Sequence, residues 1–343
     1  MKLLDFLIDR GWVPEPLLRR GARYLIWRRL REEQRGMEES LDARTARFLE
    51  RTRGSRIAEH PEAANDQHYE VPTAFFKRVL GPRLKYSCCW FGEPNSSLKE
   101  AEEAMLRLTA DRAQLEDGLK VLDLGCGWGS FTLWAAERYP RATFLAVSNS
   151  ESQGAFLRAQ AKKRGLTNVN HLRVDVNSWQ PEGSFDRIVT VEMLEHVRDH
   201  RLLLTRLKRS LAPGGKLFVH VFCHRRLAYP FENRGPSDWM SRNFFTGGIM
   251  PSSDLLPALS KGTWTEEDRD WIPGTQYART AQAWLTNLKQ NRAELEKLLS
   301  HPEGGRPSGK IIWRRWRAFF LACQELFGFR NGTEWGVVHH RFS

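Results

Sequence analysis

KVLDLGCGWGSFTLWAAERYPRATFLAVSNS, residues 120–150, decides how this chain folds. KVLDL is a short apolar run, SFTLWAAERY carries its apolar residues at helical spacing, and TFLAVS is a second short apolar run. Parallel strands need a crossover between them, so strand, helix, strand is the signature of a parallel sheet with helices on both faces. The alternation continues outward through SQGAFLRAQAKKRG, VNHLRVD and FDRIVTVEM. The fold class is therefore α/β with a Rossmann-like core, and a ligand belongs at the carboxyl ends of its strands.

Within this stretch, VLDLGCGWGS at 121–130 sets Gly125, Gly127 and Gly129 between an apolar strand and a helix beginning near Ser130. Glycine lets the backbone turn sharply and approach a ligand, and the helix start offers unpaired N–H groups. Two ligands use such a turn, a dinucleotide and S-adenosylmethionine. Asp123 favours the second, since its carboxylate would meet an ammonium group but repel a pyrophosphate. The spacing G-x-G-x-G also departs from the dinucleotide pattern G-x-G-x-x-G. After TFLAVS no carboxylate awaits a ribose at Ser148 or Asn149, although Asn149 or Gln153 can hydrogen-bond one. Asp175, ending VNHLRVD, is placed to accept from an adenine amino group or, alternatively, is a turn aspartate. S-Adenosylmethionine is the expected cofactor and S-adenosylhomocysteine its product.

VEMLEHV at 191–197 follows the fourth strand and brings Glu192, Glu195 and His196 to the mouth of that cleft. The spacing predicts Glu192 and Glu195 on one helical face. Neighbouring carboxylates raise one another's pKa unless a cation sits among them, and an amine substrate would supply it. That amine would lose its proton to Glu195 or His196 before attacking the methyl group. The alternative is a capping carboxylate and a satisfied surface histidine. HYE at 68–70 adds Tyr69 and Glu70, and YSCCWF at 86–91 adds Cys88 among aromatics that serve either cation–π contact or the core.

Beyond the central run, residues 2 to about 60 show helical periodicity among arginines. Leu25, Ile26 and Trp27, flanked by Arg23, Arg28 and Arg29, form a basic amphipathic face for a membrane surface or for the chain itself. A helix over Arg201–Leu211 is expected to stop at LAPGGK, before the strand KLFVHVF. After residue 224 the alternation breaks down into a region rich in Trp, Phe and Gly up to about 275, followed by helices near 279–300 and 310–327. The expected organisation is an N-terminal helical region at 1–64, a cofactor-binding core at 65–224, and a substrate lid with core-completing elements at 225–343.

Composition excludes several other classes. With 343 residues and 41% hydrophobic content the chain buries a large core. No apolar run of about 18 residues occurs, and no secretory signal opens the chain, which points to the cytoplasm. Five cysteines without a C-x-x-C pair suggest reduced thiols and no metal site. The charge of +12 admits a polyanion partner or a solvated basic surface. No DNA-reading module and no N-P-P-Y-like segment accompanies it, so no nucleic acid is expected.

NDQHYEVPTAFF, LKYSCCWF, VLDLGCGWGS, VEMLEHV, FVHVFCH, FFTGGIMPS and ELFGFRNGTEW, in this order, resemble the coclaurine N-methyltransferase family, itself close to the cyclopropane fatty acid synthases. The resemblance runs from about residue 65 to the end and more weakly through the N-terminal helices. It implies a class I methyltransferase core with a mostly parallel seven-stranded sheet, a helical, aromatic lid and N-methylation of a small cyclic or aromatic amine. It assigns catalysis to Glu192, Glu195 and His196 and amine binding to Glu70. It assigns the donor to Tyr86, Ser87, the glycine loop, Ser148 to Gln153, and the turn at Asn177 and Ser178. The substrate side is expected to include Tyr69, Cys88, His220, Phe222 and Trp335. The cyclopropane synthases share a bicarbonate-binding set, which Cys88, Glu195 and His220 match. The tyrosine that completes it is absent from RAFFLACQELF, which offers only Phe319 and Phe320. Cys323 in that stretch falls where the wider family is sometimes assigned a catalytic cysteine, or is core. Transfer to an unsaturated acyl chain of a phospholipid is the alternative reaction, and weak membrane association and a homodimer stay open.

Overall fold

Ile8, Ile26 and Leu30 anchor the first two helices of the computed structural model, α1 (Leu3–Arg10) and α2 (Glu15–Glu33). The structure describes residues 3–33, 38–59, 71–232, 235, 238–300 and 307–343. Helix α3 (Leu41–Arg51) begins where the Ser40 side chain accepts from the Ala43 N–H, filling one of the donors that a helix start leaves open. Two further helices, α4 (Thr73–Val79) and α5 (Leu98–Arg112), precede the sheet, and a reciprocal Ser97–Glu100 capping box starts the second.

The central alternation then unfolds as β1 (Lys120–Leu124), α6 (Ser130–Arg138), β2 (Thr143–Ser148), α7 (Glu151–Lys163), β3 (Val169–Arg173) and β4 (Phe185–Val191). After β4 come α8 (His200–Arg209) and β5 (Leu211–His224). Short elements β6 (Tyr229–Pro230), α9 (Trp239–Asn243), β7 (Ile249–Met250) and α10 (Leu255–Ser260) follow. The chain closes with β8 (Glu266–Ile272), α11 (Gly274–Gln290), α12 (Arg292–Leu298), α13 (Gly309–Gly328) and β9 (Trp335–Phe342). The seven-stranded sheet runs β3-β2-β1-β4-β5-β9-β8. Strands β1 to β5 are parallel, and β9 lies antiparallel between β5 and β8. Order reverses between β1 and β4, which opens the ligand crevice of such sheets at their carboxyl ends.

Three elements depart from the sequence expectation. Helix α8 stops at Arg209, two residues early, and LAPGG is drawn into β5. Phe185 pairs with Leu211 and Arg187 with Lys216, so a bulge absorbs Pro213 and Gly214, where proline's missing N–H costs no ladder bond. The helix expected over 279–300 starts at Gly274 and breaks at Asn291, whose side-chain amide donates to the Asn287 and Arg78 carbonyls. Strand β8, EEDRDWI, lies in the region rich in Trp, Phe and Gly where the sequence showed no strand alternation.

The N-terminal helices close over the carboxyl side of the sheet. Arg19 and Arg23 both bind the Glu325 carboxylate on α13, and Arg315 binds Asp9 on α1. Leu25 and Ile26 turn toward the interior, while Trp27 is 40% exposed with Arg31 over its ring. Among the described residues no helix is long and apolar enough to cross a membrane.

Candidate active site

At the end of β1, Asp123 is buried and accepts a 2.6 Å hydrogen bond from Thr132 on α6. Burial pushes its carboxyl up to about 6. The chain then turns through Gly125 with φ +84°, where an added Cβ would lie 2.6 Å from the Met193 side chain. A Cβ at Gly127 would meet nothing nearer than the Gln153 amide at 4.0 Å, so this side of the loop faces open space.

Two adjoining hollows share Gly125, Gly127, Gln153 and Glu192 as walls. The first, of about 600 Å³, is bounded by Lys85, Tyr86, Ser87, Asp123 and Trp128. Four buried polar atoms on its wall have no hydrogen-bond partner among the described residues: Thr109 Oγ1, Trp128 Nε1, Ser130 Oγ and Gln153 Nε2. Unpaired buried donors beside a carboxylate are costly unless a ligand carrying both charges occupies the space. The amino-acid end of S-adenosylmethionine is such a ligand. The second hollow, about 860 Å³, sets Val147, Val174 and Val176 beside Ser148, Asn149 and Asp175, an apolar slot with a polar edge that suits an adenosine. These residues fit the expected donor.

Asn177 and Ser178 do not line either hollow. The Asn177 amide is engaged with both backbone groups of Ala58, at 2.9 and 3.1 Å, and with Asp175, so it braces a residue of the hollow's wall. Ser178 is exposed and donates to the Asp175 carbonyl.

After β4 the backbone makes a left-handed step at Glu192, φ +47°, an uncommon conformation for a side-chain-bearing residue. Only a single turn of 3-10 helix follows, Leu194–His196. This overturns the expectation that Glu192 and Glu195 share a helical face. Glu192 points into the cleft, where it lines both hollows. Its Oε1 accepts from the Cys88 N–H at 2.8 Å and lies 3.2 Å from His220 Nε2, and its Oε2 accepts from the Tyr277 hydroxyl at 2.6 Å. Glu195 instead accepts from the Phe222 N–H of β5 at 2.7 Å, leaves its other oxygen unpartnered among the described residues, and lines neither hollow.

Burial raises the pKa of both carboxyls, and for Glu195 the nearby Glu192 raises it further. For Glu192 the buried Lys85 ammonium and the donors Cys88 and Tyr277 oppose that rise. Glu195 is the more strongly raised of the two, so a single proton on the pair favours Glu195. His196 lines the adenosine-shaped hollow and a third, larger cavity, and burial lowers its imidazole to about 4, leaving it neutral.

That third cavity, about 1400 Å³ with its open mouth, has Glu192 and His196 at its floor. Its walls are aromatic, with Phe222, Phe245, Tyr277, Trp284, Phe319 and Trp335 among them, and α2 contributes Leu25, Ile26 and Arg29 at the rim. Phe222 and Trp335, expected on the substrate side, both line this cavity. Cys88 and His220 do not reach the cavity wall and act on it through Glu192. Tyr69 and Glu70 lie outside the described residues. Cys323 is a wall residue whose thiol burial pushes well up, so it stays protonated.

The absent tyrosine is a correction. A tyrosine does stand at the Cys88–His220 cluster, but it is Tyr277 on α11, not a residue of α13. Its only sequence signal is its place three residues into the first turn after Pro273–Gly274.

Comparison with known proteins agrees with this architecture. The family described as mycolic acid cyclopropane synthetase matches residues 58–334. An (S)-coclaurine N-methyltransferase of Thalictrum flavum subsp. glaucum is 35% identical over 341 residues, spanning 98% of this chain and 93% of that protein. The crystal structure of a coclaurine N-methyltransferase bound to N-methylheliamine and S-adenosylhomocysteine superposes with a TM-score of 0.88 at 31% identity, covering 99% of this chain and 97% of the other. A cyclopropane synthase from Mycobacterium tuberculosis shares the fold, with a TM-score of 0.71 at 22% identity over 83% of this chain and 99% of that one.

Proposed function

We propose a substrate class for this chain, which belongs to the coclaurine N-methyltransferase-like branch of the mycolic acid cyclopropane synthetase family of S-adenosylmethionine-dependent methyltransferases. It methylates the nitrogen of a small cyclic or aromatic amine. The observation that carries this reading is the Glu192 carboxyl and neutral His196 at the floor of an aromatic cavity, at its junction with the donor hollows.

When bound, the donor supplies an electrophilic methyl group on a sulfonium. Asp123 and the unpaired donors of the first hollow hold its amino-acid end, and the valine-lined slot holds its adenosine. An amine enters as an ammonium ion, drawn by Glu192 and by the faces of the cavity's rings. Burial lowers the amine's own pKa, and its proton passes to an imidazole nitrogen of His196, where the Glu192 charge steadies the imidazolium. With its lone pair freed and the amine oriented by the cavity walls, the nitrogen would take the methyl group of a bound donor, which would leave as S-adenosylhomocysteine, and that orientation would supply much of the acceleration. Glu195, neutral, props the β5 backbone under Phe222.

Tyr277 gives a second reading some support, because it restores a tyrosine to the cluster that the cyclopropane synthases use. Labelled S-adenosylmethionine offered with a panel of secondary amines and, separately, with unsaturated phospholipid vesicles separates the two. Label on an amine nitrogen supports the leading reading. Label on lipid alone replaces it with acyl-chain transfer.

A further inference from the structure

Behind Glu192 a file of side chains leads away from the cavity along one face of the sheet toward its β8 edge. His220 Nε2 lies 3.2 Å from Glu192 Oε1, and His339 Nε2 lies 2.8 Å from His220 Nδ1. Arg112 Nη1 lies 2.7 Å from His339 Nδ1, and Arg112 Nε binds Asp270 at 3.0 Å. The register of β5 against β9 pairs His220 with His339, so the two rings stand on one face of the sheet. Both rings are buried, at 1% and 2% exposure, and burial holds both well below the usual imidazole pKa, so each is neutral.

A guanidinium can only donate. His339 Nδ1 must therefore accept, which puts its proton on Nε2. That proton points at His220 Nδ1, which must accept in turn and carry its proton on Nε2, aimed at Glu192. One donor-only group at the rim thus dictates the tautomer of two buried rings and the direction of every hydrogen bond in the file. It also bars the file from carrying protons outward, since its last member cannot accept one.

We propose that Arg112 and His339, neither of which lines the cavity, are positioning residues that lock His220 as a permanent donor to Glu192 and so keep Glu192 the anion the substrate meets. The lock rests on the methyltransferase site described above. Its primary test, however, does not depend on which substrate is used.

In ¹⁵N-labelled full-length protein, long-range proton–nitrogen correlations read each histidine's tautomer, with His220→Asn and His339→Asn assigning the signals. His220 and His339 should each show a single Nε2–H form. Arg112→Met should populate a second tautomer at both, and Arg112→Lys, which restores a donor-only cation, should recover the single form. Should Arg112→Met fold poorly, Arg112→Gln, which can also accept, should show the same mixture. An unchanged spectrum in the neutral variants overturns the proposal. Single-turnover methyl transfer, measured on whichever substrate class the wild-type protein labels, should fall about tenfold in Arg112→Met, as loss of an orienting partner commonly does, and recover in Arg112→Lys. Altered tautomers with an unaltered rate would overturn the positioning role. Label on lipid in place of amine would overturn only the substrate class.

Discussion

Glu192 and Glu195, three positions apart in sequence, take different partners: Glu192 accepts from the Tyr277 hydroxyl in the cavity, whereas Glu195 accepts from the Phe222 N–H of β5 and lines no part of the cavity. The left-handed step at Glu192 sends them apart. Glu195→Gln keeps the shape of a neutral acid and should leave the rate within about threefold, the scale of one neutral hydrogen bond. Glu192→Gln removes the charge an ammonium meets and should cost about a hundredfold or more, as loss of preorganised electrostatics does. Steady-state kinetics on both variants decide it, and equal losses would return Glu195 to the reacting set.

His196→Ala should lower single-turnover methyl transfer by about 10²–10⁴-fold, the range for a positioned base. The Asp123 end of the donor site is untouched by that change, so calorimetric affinity for S-adenosylmethionine should stay within about tenfold of wild type, the loss of roughly one hydrogen bond. A larger loss of affinity would make His196 a donor-binding residue.

What could be read in sequence was what local periodicity encodes. KVLDL and TFLAVS announce strands because four of the five residues of β1 are buried and β2 is nearly as apolar. EEDRDWI did not, because β8 is an edge strand with only Ile272 buried. The glycine loop and Asp123 were legible because the turn and its buried carboxylate lie within a few residues. The orientation of Glu195 was not, since one backbone torsion at Glu192 decides it. Nor was Tyr277, which reaches Glu192 across 85 positions and carries no motif of its own. His339 reaches His220 only through the pairing of β5 with the last strand.

Donor affinity should depend on acid. The Asp123 carboxyl is raised to about 6 by burial, whereas the donor's ammonium favours its charged form. Above pH 6 the anion is already present and affinity should be flat. Below it, binding must first expel a proton, so affinity should fall by up to about tenfold per pH unit until the lowered pKa of the bound state is reached. Titration calorimetry between pH 5 and 8 in buffers of different ionisation enthalpy, near the about-6 midpoint, should also record proton release. Asp123→Asn should bind more weakly and show no such slope.

Tyr277→Phe isolates one hydrogen bond. The ring stacks on Phe327 at 4.1 Å and 11°, contact that phenylalanine retains, so the unfolding midpoint should hold. What disappears is the 2.6 Å donor to Glu192 Oε2. Hydrogen bonds to charged groups are worth about 1.5–3 kcal/mol, and if half of that is felt at the reacting amine the rate should fall about tenfold. The donors that remain on Oε1, the Cys88 N–H and the His220 Nε2–H, cannot compensate, because they already point at the other oxygen. The Glu192 pKa should then rise, since one of the groups opposing its burial is gone, and the acidic limb of the kcat/KM profile should move to higher pH. An unshifted limb with a lowered rate would mean that Tyr277 serves the shape of the cavity and not the charge at its floor.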